Sequence, residues 1–305
     1  MPQTTSRPYR LVWTTTHKKL SPLISVKGEV VCEYREINYN LSVSVECEEW
    51  SEELRETMIY TSTPHSTLNT PNSLNPNLQG VEMNYDKISR AKFLSRPNRF
   101  IAYAELDGRI EKCHVKNTGR CRELLVEGCT AYLEHAKNPE RKTRFDLVAV
   151  EKNGILINMD SYAPNLAVGE FLPKLFPDSR IRAEYTYGNS RFDFYIEDNI
   201  RKILLEVKGV TLENEGVVMF PDAPTERGAK HVAELAESIG EGYDAYLFFV
   251  VQMKSVKYFT LNDKTDPKFA DAVRKATERG VKILAYDCSV TPEKMEINER
   301  VEVRL

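Results

Sequence analysis

The pattern of apolar and polar positions divides the chain into three parts, of which the first, residues 1–82, is the least regular. Between residues 61 and 79, 14 of 19 positions are Thr, Ser, Pro or Asn. Such a stretch buries too little apolar surface to offset the entropy lost on ordering. Two interpretations stay open: a disordered tail with a linker, or upstream codons wrongly included before a natural start at Met83. Neither gives this segment a catalytic role.

The second part, residues 83–160, becomes β-rich from about Arg99. Asp107-Gly108 and Asn153-Gly154 are strong hairpin signals. Five short strands within about 60 residues predict a small barrel. An OB-like barrel fits best, although an SH3-like fold also has five strands. The predicted strands are Arg99–Leu106, Arg109–Val115, Cys129–His135, Arg144–Glu151 and Ile155–Met159.

The third part, residues 161–305, mixes strands with helices. Thr225 is a suitable N-cap for a helix that Gly240 ends, and a second helix, Pro267–Arg279, stops at Gly280. The resulting β-β-β-α-β-α-β order predicts an α+β domain, a mixed sheet covered by helices. Its predicted strands are Phe192–Glu197, Ile203–Lys208, Val217–Phe220, Ala245–Val251 and Val281–Tyr286.

Composition narrows the class of protein. The chain has 305 residues, 41% hydrophobic and 29% charged, which excludes a wholly disordered or collagen-like chain. No apolar run approaches a membrane span, and the N-terminus lacks a secretory signal region. Six cysteines without a Cys-x-x-Cys motif favour free thiols in a reducing cytoplasm.

The segment richest in candidate chemistry is the hairpin that carries Asp193, Glu206 and Lys208. Alternate residues of a strand share a face, so Glu206 and Lys208 project together, and antiparallel pairing puts Asp193 opposite Glu206 or Val207. Two close carboxylates repel unless a cation separates them, and oxygen ligands suit Mg²⁺ or Mn²⁺. A lone Glu-x-Lys is usually an exposed strand pair, but the apolar run 203–210 makes exposure less natural here.

A second polar block, Phe220–His231, follows the next strand. Arg227, Lys230 and Glu234 fall on one helical face, and the two basic residues lie in the first turns, where the helix dipole favours an anion. They are candidates to hold a phosphate. The alternative is an ordinary solvated helix face, and a histidine such as His231 is more often a packing or capping residue than a base.

Together these blocks resemble the sugar fermentation stimulation protein family. The matching segments are Ser190–Phe194, Glu206–Leu212, Phe220–His231, Ala183–Gly188 and Asn117–Gly119. The resemblance covers about residues 85–305 and not residues 1–82. The sequence departs from the family pattern at Lys116 and Phe192, where proline is expected.

The resemblance implies an N-terminal OB-like domain joined to a domain of the PD-(D/E)xK nuclease type. Asp193 and Glu206 would bind the metal, Glu184 would be an additional acid beside it, and Lys208 would be the catalytic lysine. The Pro221-Asp222 pair is a different element from the motif that names these nucleases. The family is also associated with DNA binding and with the regulation of sugar-utilisation genes.

Charge supports a nucleic-acid partner for the barrel. Residues 83–122 hold 10 Lys or Arg against 4 Asp or Glu. Binding should be mainly to the backbone, because neither a helix-turn-helix nor a zinc finger is evident. Four aromatic rings have two alternative roles: they would either stack on bases or fill the interior of the barrel. They are Phe100, Tyr103, Tyr132 and Phe145. The candidate contacts from the barrel are Lys116, Asn117 and Arg120, and the loop residues Arg141, Lys142 and Arg144.

The sequence thus predicts a cytoplasmic protein that binds DNA or RNA and hydrolyses phosphodiesters with Mg²⁺ or Mn²⁺. One alternative is a DNA-binding regulator that does not cut. The presence of Asp193, Glu206 and Lys208 argues against it, because a protein that only binds has no need of these three residues. The other is a small-molecule phosphoesterase, which has no need of an extended cationic surface.

Overall fold

The computed structural model of the protein describes residues 83–305, except 118, 139 and 189. The expectations for residues 1–82 therefore lie outside the described residues. Within that described part, no helix is long and apolar enough to cross a membrane. Its four cysteines, Cys113, Cys121, Cys129 and Cys288, are free thiols.

Five strands close into a barrel. They pair in the circular order β1–β2–β3–β5–β4–β1, antiparallel except between β3 and β5. The prediction of an OB-like barrel is confirmed. The strands of this domain are β1 (Ile88–Ser95), β2 (Ile101–Leu106), β3 (Arg109–Val115), β4 (Thr130–His135), β5 (Phe145–Lys152) and β6 (Ile155–Asn158).

The barrel contains one strand, β1, that the sequence pattern did not predict. In β1, Ala91 and Phe93 point inward and are buried, while Lys92 between them is exposed. The prediction treated Ile155–Met159 as the fifth strand, but β6 pairs only with β5 among the described strands. The basic residues of β1 weaken its alternation of apolar and polar positions, so the sequence pattern missed the strand. The Asn153-Gly154 turn, in contrast, is a strong signal for the β5–β6 hairpin.

The second domain is built on a mixed six-stranded sheet in the order β15–β14–β12–β9–β8–β7. Strands β9 and β12 lie parallel at its centre and read as apolar runs because both faces of the sheet are covered. The sheet strands are β7 (Arg180–Tyr187), β8 (Ser190–Glu197), β9 (Lys202–Val210), β12 (Asp244–Val251), β14 (Lys282–Val290) and β15 (Met295–Arg300).

Helices cover both faces of this sheet, although the sequence predicted only the two helices of one face. Phe194, Leu205 and Phe248 pack with α1, while Leu204, Leu247 and Phe249 pack with α2 and α3. The helices are α1 (Ala163–Leu175), α2 (Glu226–Ser238) and α3 (Pro267–Glu278), and a 3₁₀ turn (Ile239–Glu241) follows α2. A four-stranded sheet adds β10 (Leu212–Asn214), β11 (Val217–Phe220), β13 (Tyr258–Leu261) and β16 (Val303–Arg304) in the order β10–β11–β13–β16.

The helix ends follow local chemistry. Thr225 caps α2 as predicted, its hydroxyl accepting a hydrogen bond from the Gly228 amide, but α2 ends at Ser238 rather than Ile239. Helix α1 was not predicted. Pro164 stands in its first turn, where a proline costs no helical hydrogen bond, and the sequence pattern predicted no element between residues 160 and 192.

Candidate active site

Three acidic residues lie in one row across neighbouring strands. The register of β7 with β8 sets Glu184 opposite Asp193, because Ala183 pairs with Phe194 and Tyr185 with Phe192. The last pair between β8 and β9 joins Phe194 to Leu205, so the next position along sets Asp193 beside Glu206. The hairpin register expected from the sequence therefore agrees with the structure.

The backbone pairing between β8 and β9 ends at Phe194, one residue before Asp193 is reached. At Asp193 the side chain accepts hydrogen bonds instead. Oδ2 accepts the Val207 amide at 2.7 Å, and Oδ1 accepts the side-chain amide of Asn165 at 2.7 Å. Burial and then the charge of Glu206 raise the pKa of Asp193 to about 6, against the opposing effect of Lys208 and of both hydrogen bonds. Asp193 is therefore a carboxylate whose charge is poorly compensated.

Glu206 is buried, and one of its two oxygens makes both of its close polar contacts. Oε1 lies 2.5 Å from Nζ of Lys208 and 2.7 Å from Nδ1 of His231. Burial favours the protonated acid, but the hydrogen bonds from His231 and Lys208 and the charge of Lys208 outweigh it and hold the pKa of Glu206 below its usual range. Arg227 Nε donates to His231 Nε2 at 3.4 Å, so Nδ1 is the ring nitrogen that donates to Glu206.

The second oxygen of Glu206, Oε2, is buried and has no hydrogen-bond partner among the described residues. A buried carboxylate oxygen without a partner is costly unless a cation or water completes its surroundings. Glu206 Oε2 and the undercompensated Asp193 thus fit a hard cation. No three His, Cys, Asp or Glu side chains of the described part form a ready metal-binding group, so the remaining ligands would come from water or substrate.

Glu184 differs from the other two acids in being exposed, with a side chain 66% accessible that lies 3.5 Å from Arg191. Its backbone has φ +53°, in the left-handed region that a non-glycine residue inside a strand rarely adopts. Such strain persists where the surroundings require it and often accompanies a functional site.

A cleft of about 310 Å³ brings most of the predicted catalytic residues together. Glu184, Asp193, Glu206, Lys208 and Arg227 all line it. We call it the carboxylate cleft. Asn165, Arg191 and His231 also line it, although the sequence pattern assigned them no catalytic role. His231 stands within a segment singled out for its composition, whereas Asn165 lies on the unpredicted helix α1.

Lys230 does not line the carboxylate cleft. Its Nζ lies 3.6 Å from Glu234, one turn along α2, and its side chain is exposed. The structure therefore separates the two residues proposed as a phosphate clamp: Arg227 faces the carboxylates and Lys230 does not.

The candidate contacts on the barrel fall into two groups. Lys116 and Arg141 are engaged internally: Lys116 reaches Glu134 and Asp160, each at 3.1 Å, and Arg141 makes two 2.8 Å bonds to Asp146. Asn117 donates to the Met159 carbonyl. The exposed members are Arg120, Lys142 and Arg144, of which Arg144 lies 3.8 Å from Glu111.

The four rings considered for stacking are also divided. Phe145 is buried in the barrel, and the Tyr132 hydroxyl bonds Glu151 at 2.5 Å. Phe100 remains 54% exposed, and Tyr103 is half-buried. Phe100 is thus the most accessible of the four to a base.

Comparison with known proteins supports both domains. The sequence pattern of the "Sugar fermentation stimulation protein RE domain" matches residues 162–294, and that of the "SfsA N-terminal OB domain" matches residues 94–159. A sugar fermentation stimulation protein homolog of Desulfitobacterium hafniense (strain Y51) is 54% identical over 225 residues, which span 73% of this chain and 99% of that protein. The homolog of Ruminiclostridium cellulolyticum is 53% identical over 226 residues, 73% of this chain and 100% of that protein.

A solved structure has the same fold. The structure of Pyrococcus furiosus SfsA in complex with Ca²⁺ superposes with a TM-score of 0.66 at 29% sequence identity. The match covers 73% of this chain and 98% of that one, so it spans the barrel and the mixed sheet together.

Proposed function

This chain belongs to the sugar fermentation stimulation protein family, and on that premise we propose that it binds nucleic acid and hydrolyses phosphodiester bonds with a bound divalent cation. The observation that carries the proposal is the buried, unpartnered Oε2 of Glu206 in the same cleft as Asp193 and Lys208. A protein that only binds nucleic acid has no need of that combination.

Asp193 and Glu206 would hold the cation, with Glu184 at the exposed end of the same row. Carboxylate oxygens select hard cations, and Mg²⁺ and Mn²⁺ are the two that this ligand set suits best. The complex of the Pyrococcus furiosus relative with Ca²⁺ supports a divalent cation for this fold. Such a cation, when bound, lowers the pKa of water and stabilises negative charge on phosphoryl oxygens.

The side chains around the carboxylates supply the rest of the chemistry. Lys208 Nζ bonds Glu206 Oε1, and it would orient an attacking water or stabilise charge that develops on the phosphate. Arg227 brings an exposed guanidinium into the cleft, where it would bind a phosphate oxygen. His231 bonds the same oxygen of Glu206 as Lys208 does, and this bond would fix the orientation of the carboxylate.

The experiment offers the purified full chain several phosphodiesters in Mg²⁺, in Mn²⁺ and in EDTA: labelled single- and double-stranded DNA and RNA, and a dinucleotide. We expect metal-dependent cleavage of a polynucleotide, lost in EDTA and in Glu206→Gln. The control Glu237→Gln changes an exposed acid on α2 outside the carboxylate cleft and should cut like the wild type. Cleavage of the dinucleotide alone would indicate a small-molecule phosphoesterase, and binding without cutting under every metal would indicate a regulator.

A further inference from the structure

A second, larger cleft of about 930 Å³ lies between the barrel and the mixed-sheet domain. Four arginines line it, and the acids in its lining are Glu127 and Asp222. We call it the arginine cleft. Its arginines are Arg96, Arg99, Arg120 and Arg122, all from loops at one end of the barrel.

The four arginines are not equivalent. Arg96 is fully engaged within the protein, because its guanidinium donates to four backbone carbonyls, those of Arg99, Asn117, Gly119 and Arg120. Arg99, Arg120 and Arg122 are exposed, and their side chains form no ion pair with any described residue. Arg96 therefore holds the loop backbone in place, and three guanidinium groups remain for an anionic ligand.

The two walls of the arginine cleft are joined. The Arg120 amide donates to Oδ2 of Asp222 at 2.9 Å, and a Cβ placed on Gly119 would lie 2.5 Å from that oxygen. This contact gives Asp222 a role that the sequence left open: its carboxylate ties the loop of the barrel to the segment before α2. The walls cannot separate without breaking it.

The arginine cleft and the carboxylate cleft adjoin. Ser161 and Thr225 line both, and each lies at the start of a helix, Ser161 before α1 and Thr225 before α2. A chain of phosphates lying along Arg99, Arg120 and Arg122 therefore continues toward Asp193 and Glu206.

Two exposed aromatic residues each follow a residue that lines these clefts. Tyr162 follows Ser161 and is 72% exposed, and Phe100 follows Arg99 and is 54% exposed. Exposed rings next to a cationic groove are the usual means of binding unstacked bases. In a duplex the bases are stacked on one another and are not offered to such rings.

From these observations we propose that the arginine cleft binds a single nucleic-acid strand, with its phosphates on Arg99, Arg120 and Arg122 and a base stacked on Tyr162 at the junction of the two clefts. This inference rests on the nucleic-acid binding of the proposed function, and it does not depend on hydrolysis at the carboxylates. The recessed position of Glu206 agrees with it, because a flexible single strand reaches a buried carboxylate more readily than a stiff duplex does.

The test measures the binding of fluorescent 20-nucleotide strands by the full chain in EDTA, where no hydrolysis occurs. The probes are poly(dT), poly(U) and a blunt DNA duplex, each titrated at several salt concentrations. We expect both single strands to bind at least tenfold more tightly than the duplex, and the comparison of poly(dT) with poly(U) separates DNA from RNA as the preferred source.

The triple variant Arg99→Gln, Arg120→Gln and Arg122→Gln should bind single strands at least tenfold more weakly and lower the salt slope by about 2, since each single-strand phosphate contact contributes about 0.7. The matched control removes three exposed charges outside both clefts, Arg109→Gln, Lys112→Gln and Lys268→Gln. It should change the affinity less than threefold. If the first variant melts below the wild type, the single variants Arg99→Gln and Arg122→Gln take its place.

Tyr162 provides an independent measurement. Tyr162→Ala should weaken single-strand binding about tenfold, while Tyr162→Phe, which keeps the ring, should not. Equal or tighter binding of the duplex, or equal effects of the cleft variant and its control, would overturn the proposal. Because the assay contains no metal, a lack of nuclease activity leaves its outcome unchanged and the two proposals fail separately.

Discussion

His231 donates its Nδ1 hydrogen to Oε1 of Glu206 at 2.7 Å, from a helix packed against the strand that carries the acid. The bond leaves Oε2, the unpartnered oxygen, as the atom free to bind a cation. His231 thus acts on the site through Glu206 and not by direct contact with substrate.

We expect His231→Ala to weaken Mn²⁺ binding about 10- to 100-fold, because partners that orient a metal ligand typically contribute that much. Isothermal titration of the full chain with Mn²⁺ measures this directly. His135→Ala is the control, since His135 bonds Ser89 on the barrel and should leave the affinity unchanged. Equal Mn²⁺ affinity in wild type and His231→Ala would remove the positioning role.

Asp193 makes the metal-free protein sensitive to pH. Its pKa is raised from 3.8 to about 6, so between these values the folded state keeps a proton that the unfolded chain has released. The contribution of Asp193 to stability should therefore fall as the pH rises from about 4 to 6, by at most about 3 kcal/mol. Asp193→Asn removes the titration, so its free energy of unfolding relative to the wild type should increase across this window.

Urea unfolding of both proteins in EDTA, at pH 4.5 and pH 7, checks this. Excess Mn²⁺ at pH 7 should restore the stability of the wild type and not that of Asp193→Asn. A stability difference that stays constant with pH would mean that Asp193 is adequately compensated without a cation.

Glu184 holds a backbone conformation that suits glycine better than glutamate. A non-glycine residue in the left-handed region costs about 1–2 kcal/mol. The free energy of unfolding of Glu184→Gly should therefore be about 1 kcal/mol higher than that of Glu184→Ala, although both variants lose the carboxylate. The same two variants should lose Mn²⁺ affinity equally, and a glycine variant less stable than the alanine variant would show that the strain is not there.

The start of the described chain packs on the second domain. Met83 and Tyr85 are buried in the core formed with α1, and the Met83 amide donates to Glu170. A chain shortened to 83–305 should fold and keep the nucleic-acid affinity of the full chain. One shortened to 86–305 should lose about 3 kcal/mol or more, because two buried side chains are removed.

Thermal melts of the two shortened chains and the full chain distinguish these cases. Aggregation of the 83–305 chain, or a large fall in its melting temperature, would show that residues before Met83 belong to the core. Equal stability of both shortened chains would contradict the packing of Met83 and Tyr85.

Local pattern is sufficient for the hairpin that carries Asp193 and Glu206, but it did not predict β7, the strand that carries Glu184. The apolar runs of β9 and β12 mark strands buried on both faces, and the hairpin spacing by itself sets Asp193 against Glu206. The cap at Thr225 is equally predictable, since an N-cap is a property of a few consecutive residues.

The features that the sequence pattern did not predict depend on contacts between segments that are distant in the chain. Helix α1 has only a weak apolar face and a proline in its first turn, so neither the helix nor the bond of Asn165 to Asp193 was predicted. The loop around Arg141 looked like a cationic binding surface, but in the fold Arg141 is bound to Asp146. The arginines of the second cleft come together only when the barrel closes and Asp222 meets the Arg120 amide.

The most direct test of the central claim is cleavage of a labelled polynucleotide in Mn²⁺ by Asp193→Asn and Lys208→Ala beside the wild type. Lys202→Ala, which changes an exposed lysine on the same strand, is the matched control. We expect hydrolysis to fall by orders of magnitude in both site variants and to persist in the control, with binding in Ca²⁺ retained by all. Wild-type cleavage by both site variants would contradict the account.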